Sequence, residues 1–75
     1  MKIFYDPEVD ALYIEFRPLK PGTAAAHSFS EDVIGNYDPD GKLAGIEVLN
    51  ASKQIGEELN RLVLEVNRVP VSAST

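Results

Sequence analysis

YDPEVDALYIEF, running from Tyr5 to Phe16, returns as YDPDGKLAGIEV from Tyr37 to Val48. The offset is a constant 32 residues without a gap, and Tyr5/Tyr37, Asp6/Asp38, Pro7/Pro39, Ile14/Ile46 and Glu15/Glu47 are identical. In each copy a turn signal precedes a strand signal. Proline presets the backbone for the second place of a type I turn, and the aspartate before it can bond its own backbone. Beyond the first turn the side chains alternate: Leu12, Ile14 and Phe16 fall on one side, Ala11, Tyr13, Glu15 and Arg17 on the other. Ala44, Ile46 and Val48 hold the same places in the second copy, so the two agree on the apolar face. Gly41 supplies a left-handed residue after Pro39, which suits a tight hairpin with a bulge at the glycine. What recurs is thus a turn, an apolar face and one glutamate on the other face, a structural unit rather than a duplicated catalytic site.

Outward from these stretches, residues 2–5 read as a first strand, 11–17 as a second and 42–49 as the last. Between them, Pro18, Pro21 and Gly22 mark a loop. A weak third strand over 23–30 is poor in large side chains, breaks at Glu31 and Asp32 and resumes over 33–37. The last third changes period. Ile55, Leu59, Leu62, Val63 and Val66 form one stripe of a helix, with Glu57 and Glu58 early, Arg68 late, and Glu57 four residues before Arg61. Pro70 would stop it, with Val69 biased to extended geometry. LVLEV over 62–66 also reads as strand, and that alternative stays open. The expected fold is α+β: a four-stranded antiparallel meander of two hairpins with one C-terminal helix packed on one face. One domain is expected over residues 1–69 and a disordered tail over 70–75.

At 75 residues with no cysteine, the chain cannot supplement its core with disulfides or thiolate metal sites. Self-association is the remaining supplement, and a homodimer is expected. The lack of cysteine fits a reducing compartment. The opening MKIFYDPE holds no apolar stretch of signal length, and no run is long enough to span a bilayer. The chain therefore reads as soluble and cytoplasmic, without a membrane partner. Net charge is -5 and the seven basic residues are scattered, which argues against nucleic acid and is compatible with a basic protein partner.

With Tyr5, Asp6, Asp10, Leu12, Tyr13 and Ile14 in the first stretch, and Tyr37, Asp38, Gly41, Gly45, Ile46, Glu47, Ala51 and Ser52 in and after the second, the first 55 or so residues resemble the small bacterial family called domain of unknown function 2283. That family pairs a YDPEADALYI-type opening with a YD-x-DG-x-x-x-GIE-[IV]-L-x-AS segment. The plain stretch from Ala24 to Ser30 and the longer C-terminal segment depart from it. The resemblance brings no established activity; it implies an antitoxin-type role beside a toxin-like partner.

Four sets of residues are candidates for chemistry. Asn36, Asp38, Asp40 and Glu47 stand at places 1, 3, 5 and 12 of a calcium-loop pattern, with Gly41 at 6. The asparagine at the first place, Pro39 inside the loop and strands instead of helices on its flanks all weigh towards a plain hairpin turn. Glu15 and Glu47 share the less apolar face and would stand two strands apart in a meander, roughly 10 Å. Carboxylates so spaced can serve glycosidic chemistry, but only within a cleft. His27 is a lone histidine, and Tyr5, Tyr13 and Tyr37 with Phe4 lack the basic neighbours of a base-stacking platform. No cofactor, metal site or catalytic set is assigned. The reading is a self-associating protein-interaction module, antitoxin-like, with a cation- or small-ligand-binding module on the acidic DPDG turn as the alternative, and an enzyme using Glu15, Glu47 or His27 ranked last.

Overall fold

The computed structural model describes residues 1–67. Five strands make one antiparallel sheet: β1 (Lys2–Asp6), β2 (Ala11–Glu15), β3 (Ala25–Ser28), β4 (Val33–Tyr37) and β5 (Leu43–Val48). A short helix α1 (Ala51–Ile55) and a 3-10 turn (Gly56–Asn60) follow. The fold is α+β, as the periodicities predict, but the sheet has five strands rather than four. The weak third strand and its continuation are two separate strands. The chain reverses over 29–32, where the Phe29 and Ser30 amides both donate to the Val33 carbonyl at 2.8 and 3.2 Å. Glu31 and Asp32 mark that reversal, not an irregularity within one strand.

The strand order is β1-β2-β5-β4-β3, so the sheet is not a simple meander. The β3-β4-β5 meander folds back to set β5 beside β2, a Greek-key arrangement. The register explains why β5 sits there. Ile14 faces Ile46 and Leu12 faces Val48, so the apolar sides of the two YDP stretches meet pair by pair. Ile14 and Ile46 hold equivalent places in those stretches. Exchanging the two stretches leaves this register unchanged.

Both turns use the aspartate alike. The Asp6 Oδ1 atom accepts the Glu8 amide at 3.0 Å, and the Asp38 Oδ1 atom accepts the Asp40 and Lys42 amides, each at 2.9 Å. In the second turn Gly41 has φ +81° and donates to the Asp38 carbonyl at 2.9 Å, while the Asp38 amide donates to Lys42 at 2.8 Å. This is the expected type I turn with a glycine bulge. A second irregularity falls at Ala44, because Tyr37 pairs with Leu43 while Asn36 pairs with Gly45. The freed Ala44 carbonyl accepts the Phe16 amide at 2.7 Å and the Arg17 amide at 3.3 Å, tying off the end of β2.

The apolar face carries Ile3, Tyr5, Leu12, Ile14, Ile46, Val48 and Val33 by register. Ile55, Leu59 and Leu62 border a cavity of about 300 Å³ with Ile3, Leu12 and Ile14, so the helical segment lies over the β1–β2 end of that face. The long helix stripe is not realised. Gly56, at φ +71°, ends α1, and Arg61 is already extended at φ -140° and ψ 125°. Residues 61–67 are neither helix nor strand, so the choice left open at 62–66 resolves to neither. Arg61 meets Glu58 at 3.7 Å instead of Glu57. The expected stop at Val69 and Pro70, Arg68, and the tail over 70–75 lie outside the described residues. Among the described residues, no helix is long and apolar enough to cross a membrane.

Candidate functional site

Two loops hold the start of α1 where a helix lacks partners for its first amides. Asp10 ends the β1–β2 turn in a left-handed conformation, φ +53°. Its carbonyl accepts the Ala51 amide at 2.9 Å. Its Oδ1 atom accepts the Ser52 amide at 2.9 Å and the Tyr5 hydroxyl at 2.7 Å, and Oδ2 accepts the Ser52 hydroxyl at 2.6 Å. Asp32, in the β3–β4 reversal, accepts the Leu49 amide on its carbonyl at 2.8 Å. Its carboxylate accepts the Asn50 amide group at 3.1 Å and that of Gln54 at 2.6 Å. Asn50 itself makes no side-chain cap, so the capping comes from elsewhere in the chain. The Ser52 hydroxyl, then the Tyr5 hydroxyl, then the Ser52 amide hold the Asp10 carboxyl below the usual carboxylate range. The same bond to Asp10, with some desolvation, pushes the Tyr5 hydroxyl above its usual value. With both oxygens so engaged, Asp10 acts as a clasp on the helix.

A second feature lies on the apolar face beyond the reach of α1. His27 pairs across the strands with Gly35, and Ala25 with Tyr37. Phe29 folds back so that its ring lies against Gly35, where any side chain would collide with it. His27 and Tyr37 meet edge to face at 5.8 Å between ring centres, and Phe29 and Tyr37 at 6.5 Å. These rings, with Thr23, Ala25 and Asp38, line an open cleft of about 550 Å³. The Oδ2 atom of Asp38 lies 3.6 Å from the guanidinium of Arg17, which is 49% exposed.

A third feature is apolar surface left bare. Leu62, Leu64 and Val66 are 72, 77 and 80% exposed, and Leu62 and Leu64 border one cavity with Met1 and Ile3. On the other sheet face, Phe4 is exposed opposite half-buried Tyr13.

The residues singled out from sequence are dispersed. Asp38 and Asp40 sit in the β4–β5 turn, while Asn36 and Glu47 lie on the uncovered sheet face opposite Gly45 and Ile34. Among the described residues, no three acidic or histidine side chains come together as a metal site. Glu15 and Glu47 are on neighbouring strands, not two strands apart: Glu15 faces Gly45 and Tyr13 faces Glu47, a diagonal of about 7 Å. Neither borders the cavities described above. Tyr5, Tyr13, Phe4 and Tyr37 are split between the two faces and form no common platform. Sequence reasoning passed over Phe29, whose only signal is a lone aromatic in a plain segment, and the role of Asp10, whose partner is 42 residues away.

No curated protein and no solved structure matches the chain. A family model described as a protein of unknown function, DUF2283, matches residues 2–52, a span that holds the whole sheet and both halves of the Asp10–Ser52 clasp. The chain belongs to the DUF2283 family.

Proposed function

We propose that this protein is a self-associating interaction module that works as a homodimer. One observation carries the reading. Among the described residues the buried hydrophobic side chains are Ala44 and Ala51, and no large side chain is fully buried. A sheet needs a second layer over its apolar side chains, and here the helical segment covers one end only. The bare patch of Met1, Ile3, Leu62 and Leu64 adjoins that incomplete core, so a second copy seated there would extend it. Burying one such side chain contributes about 1.5–3 kcal/mol. The net charge of -5 further suits a basic protein partner, the antitoxin-type role its family resemblance implies.

The test is the unfolding midpoint measured across a hundredfold range of concentration. A dimer that is more stable than its monomers melts higher as concentration rises. Leu64→Asp should abolish that dependence while barely altering the monomer, since Leu64 is largely exposed and does not border the cavity under the helical segment. A wild-type midpoint that does not move with concentration contradicts the proposal.

A further inference from the structure

The geometry points to the cleft between β3 and the β4–β5 turn as a recognition site for an organic cation, the ammonium or guanidinium head of a small molecule or of a basic side chain. Three observations converge there. First, His27, Phe29 and Tyr37 stand nearly at right angles, with interplanar angles of 82° and 87° about Tyr37. Rings so arranged offer π-faces and edges from different directions around one space, and a cation within about 6 Å of a ring face is attracted to its negative quadrupole. Second, the charge on the wall is negative: Asp38 borders the cleft, and no lysine or arginine is among its described lining residues. Third, the Asp38 carboxylate already draws a cation. The Arg17 guanidinium lies 3.6 Å from Asp38 Oδ2 while 49% exposed, a contact loose enough to exchange.

The local sequence fixes the Asp38 carboxylate through one oxygen and leaves the other in a single long ion pair. Asp38 Oδ1 is fixed by the Asp40 and Lys42 amides, which leaves Oδ2 to Arg17, a partner that an incoming cation would replace. Gly35 provides the flat floor on which Phe29 rests. A neutral ligand of the same shape would gain the apolar contact but neither the ring quadrupoles nor the carboxylate. The site is separate from the Met1–Leu64 patch, so it stands or falls independently of the dimer.

The test is a titration of the full chain with choline and with its uncharged carbon isostere, dimethylbutanol, followed by the ring resonances of His27, Phe29 and Tyr37. Choline should shift them saturably and bind about three- to tenfold more tightly than the isostere. Tyr37→Leu should remove that preference. Asp38→Asn, which keeps the oxygen that accepts the turn amides, should fold as the wild type and weaken choline by a similar factor. A lysine peptide that binds more tightly than choline assigns the cation to a protein partner; the reverse order assigns it to a free quaternary ammonium. Equal binding of choline and the isostere, or no ring shifts with either, overturns the inference.

Discussion

Gly45 is the residue on which the β2–β5 pairing can be tested most sharply. It stands opposite Glu15 in β2 and Asn36 in β4. A Cβ added there would meet the Tyr13 hydroxyl at 2.5 Å, its Cζ at 2.9 Å and the Ile14 carbonyl oxygen at 2.9 Å. Tyr13 is the residue equivalent to Gly45 in the first YDP stretch, so one stretch supplies the ring and the other the space beneath it. In Gly45→Ala the tyrosine can swing away over its uncovered face at small cost. The Ile14 carbonyl cannot, because it belongs to the strand opposite Ile46. Forcing extra atoms into such a contact costs about 1–3 kcal/mol, and replacing a strand glycine returns roughly 0.5–1 kcal/mol of backbone entropy. The net expectation is a loss of about 1–2 kcal/mol, or a fall of about 5–15 °C in the unfolding midpoint of a chain this size. Urea and thermal unfolding at one fixed protein concentration measure it. Tyr13→Ala in the Gly45→Ala background should recover only part of the loss, since the carbonyl contact remains. A Gly45→Ala protein as stable as the wild type would mean that β2 does not lie against β5 in this register.

Three further expectations concern the clasp and the second turn. The Asp10 carboxyl is depressed in the folded state, so its stabilisation is complete above the ordinary value of 3.8 and is lost as pH falls below it. Asp10→Asn should therefore cost stability at neutral pH and much less in strong acid; an equal cost at both pH values would count against the clasp. The Tyr5 hydroxyl is raised, so its share is complete below 10.0 and is lost as pH climbs through the folded value, and Asp10→Asn should shift the Tyr5 ring titration to lower pH. Gly41→Ala meets no neighbour within 4 Å, so its cost should be the left-handed strain alone, about 1 kcal/mol by chemical denaturation.

Much of the fold is legible because its signals are local. The DPDG turn is written in four adjacent residues, and the alternation from Ala11 to Phe16 predicts both the strand and its inward face. What was not legible depends on distant partners. Nothing near β2 says that it will pair with β5 rather than β3; that follows only once Ile14 and Leu12 find Ile46 and Val48. The helix stripe from Ile55 to Val66 has a good period, yet Gly56 stops the helix after one turn. The caps that hold that turn come from Asp10 and Asp32 in two separate loops. The cleft was hidden for the same reason: His27, Phe29 and Tyr37 become neighbours only when the chain reverses at 29–32, inside what reads as one interrupted strand.

We propose that a second copy closes the bare patch around Ile3, Leu62 and Leu64. Light scattering on the eluting protein at micromolar concentration weighs the particle directly. A homodimer weighs twice the chain mass of 8.2 kDa, falling to a single chain mass in the Leu64→Asp variant. A folded wild-type protein that elutes at 8.2 kDa contradicts it.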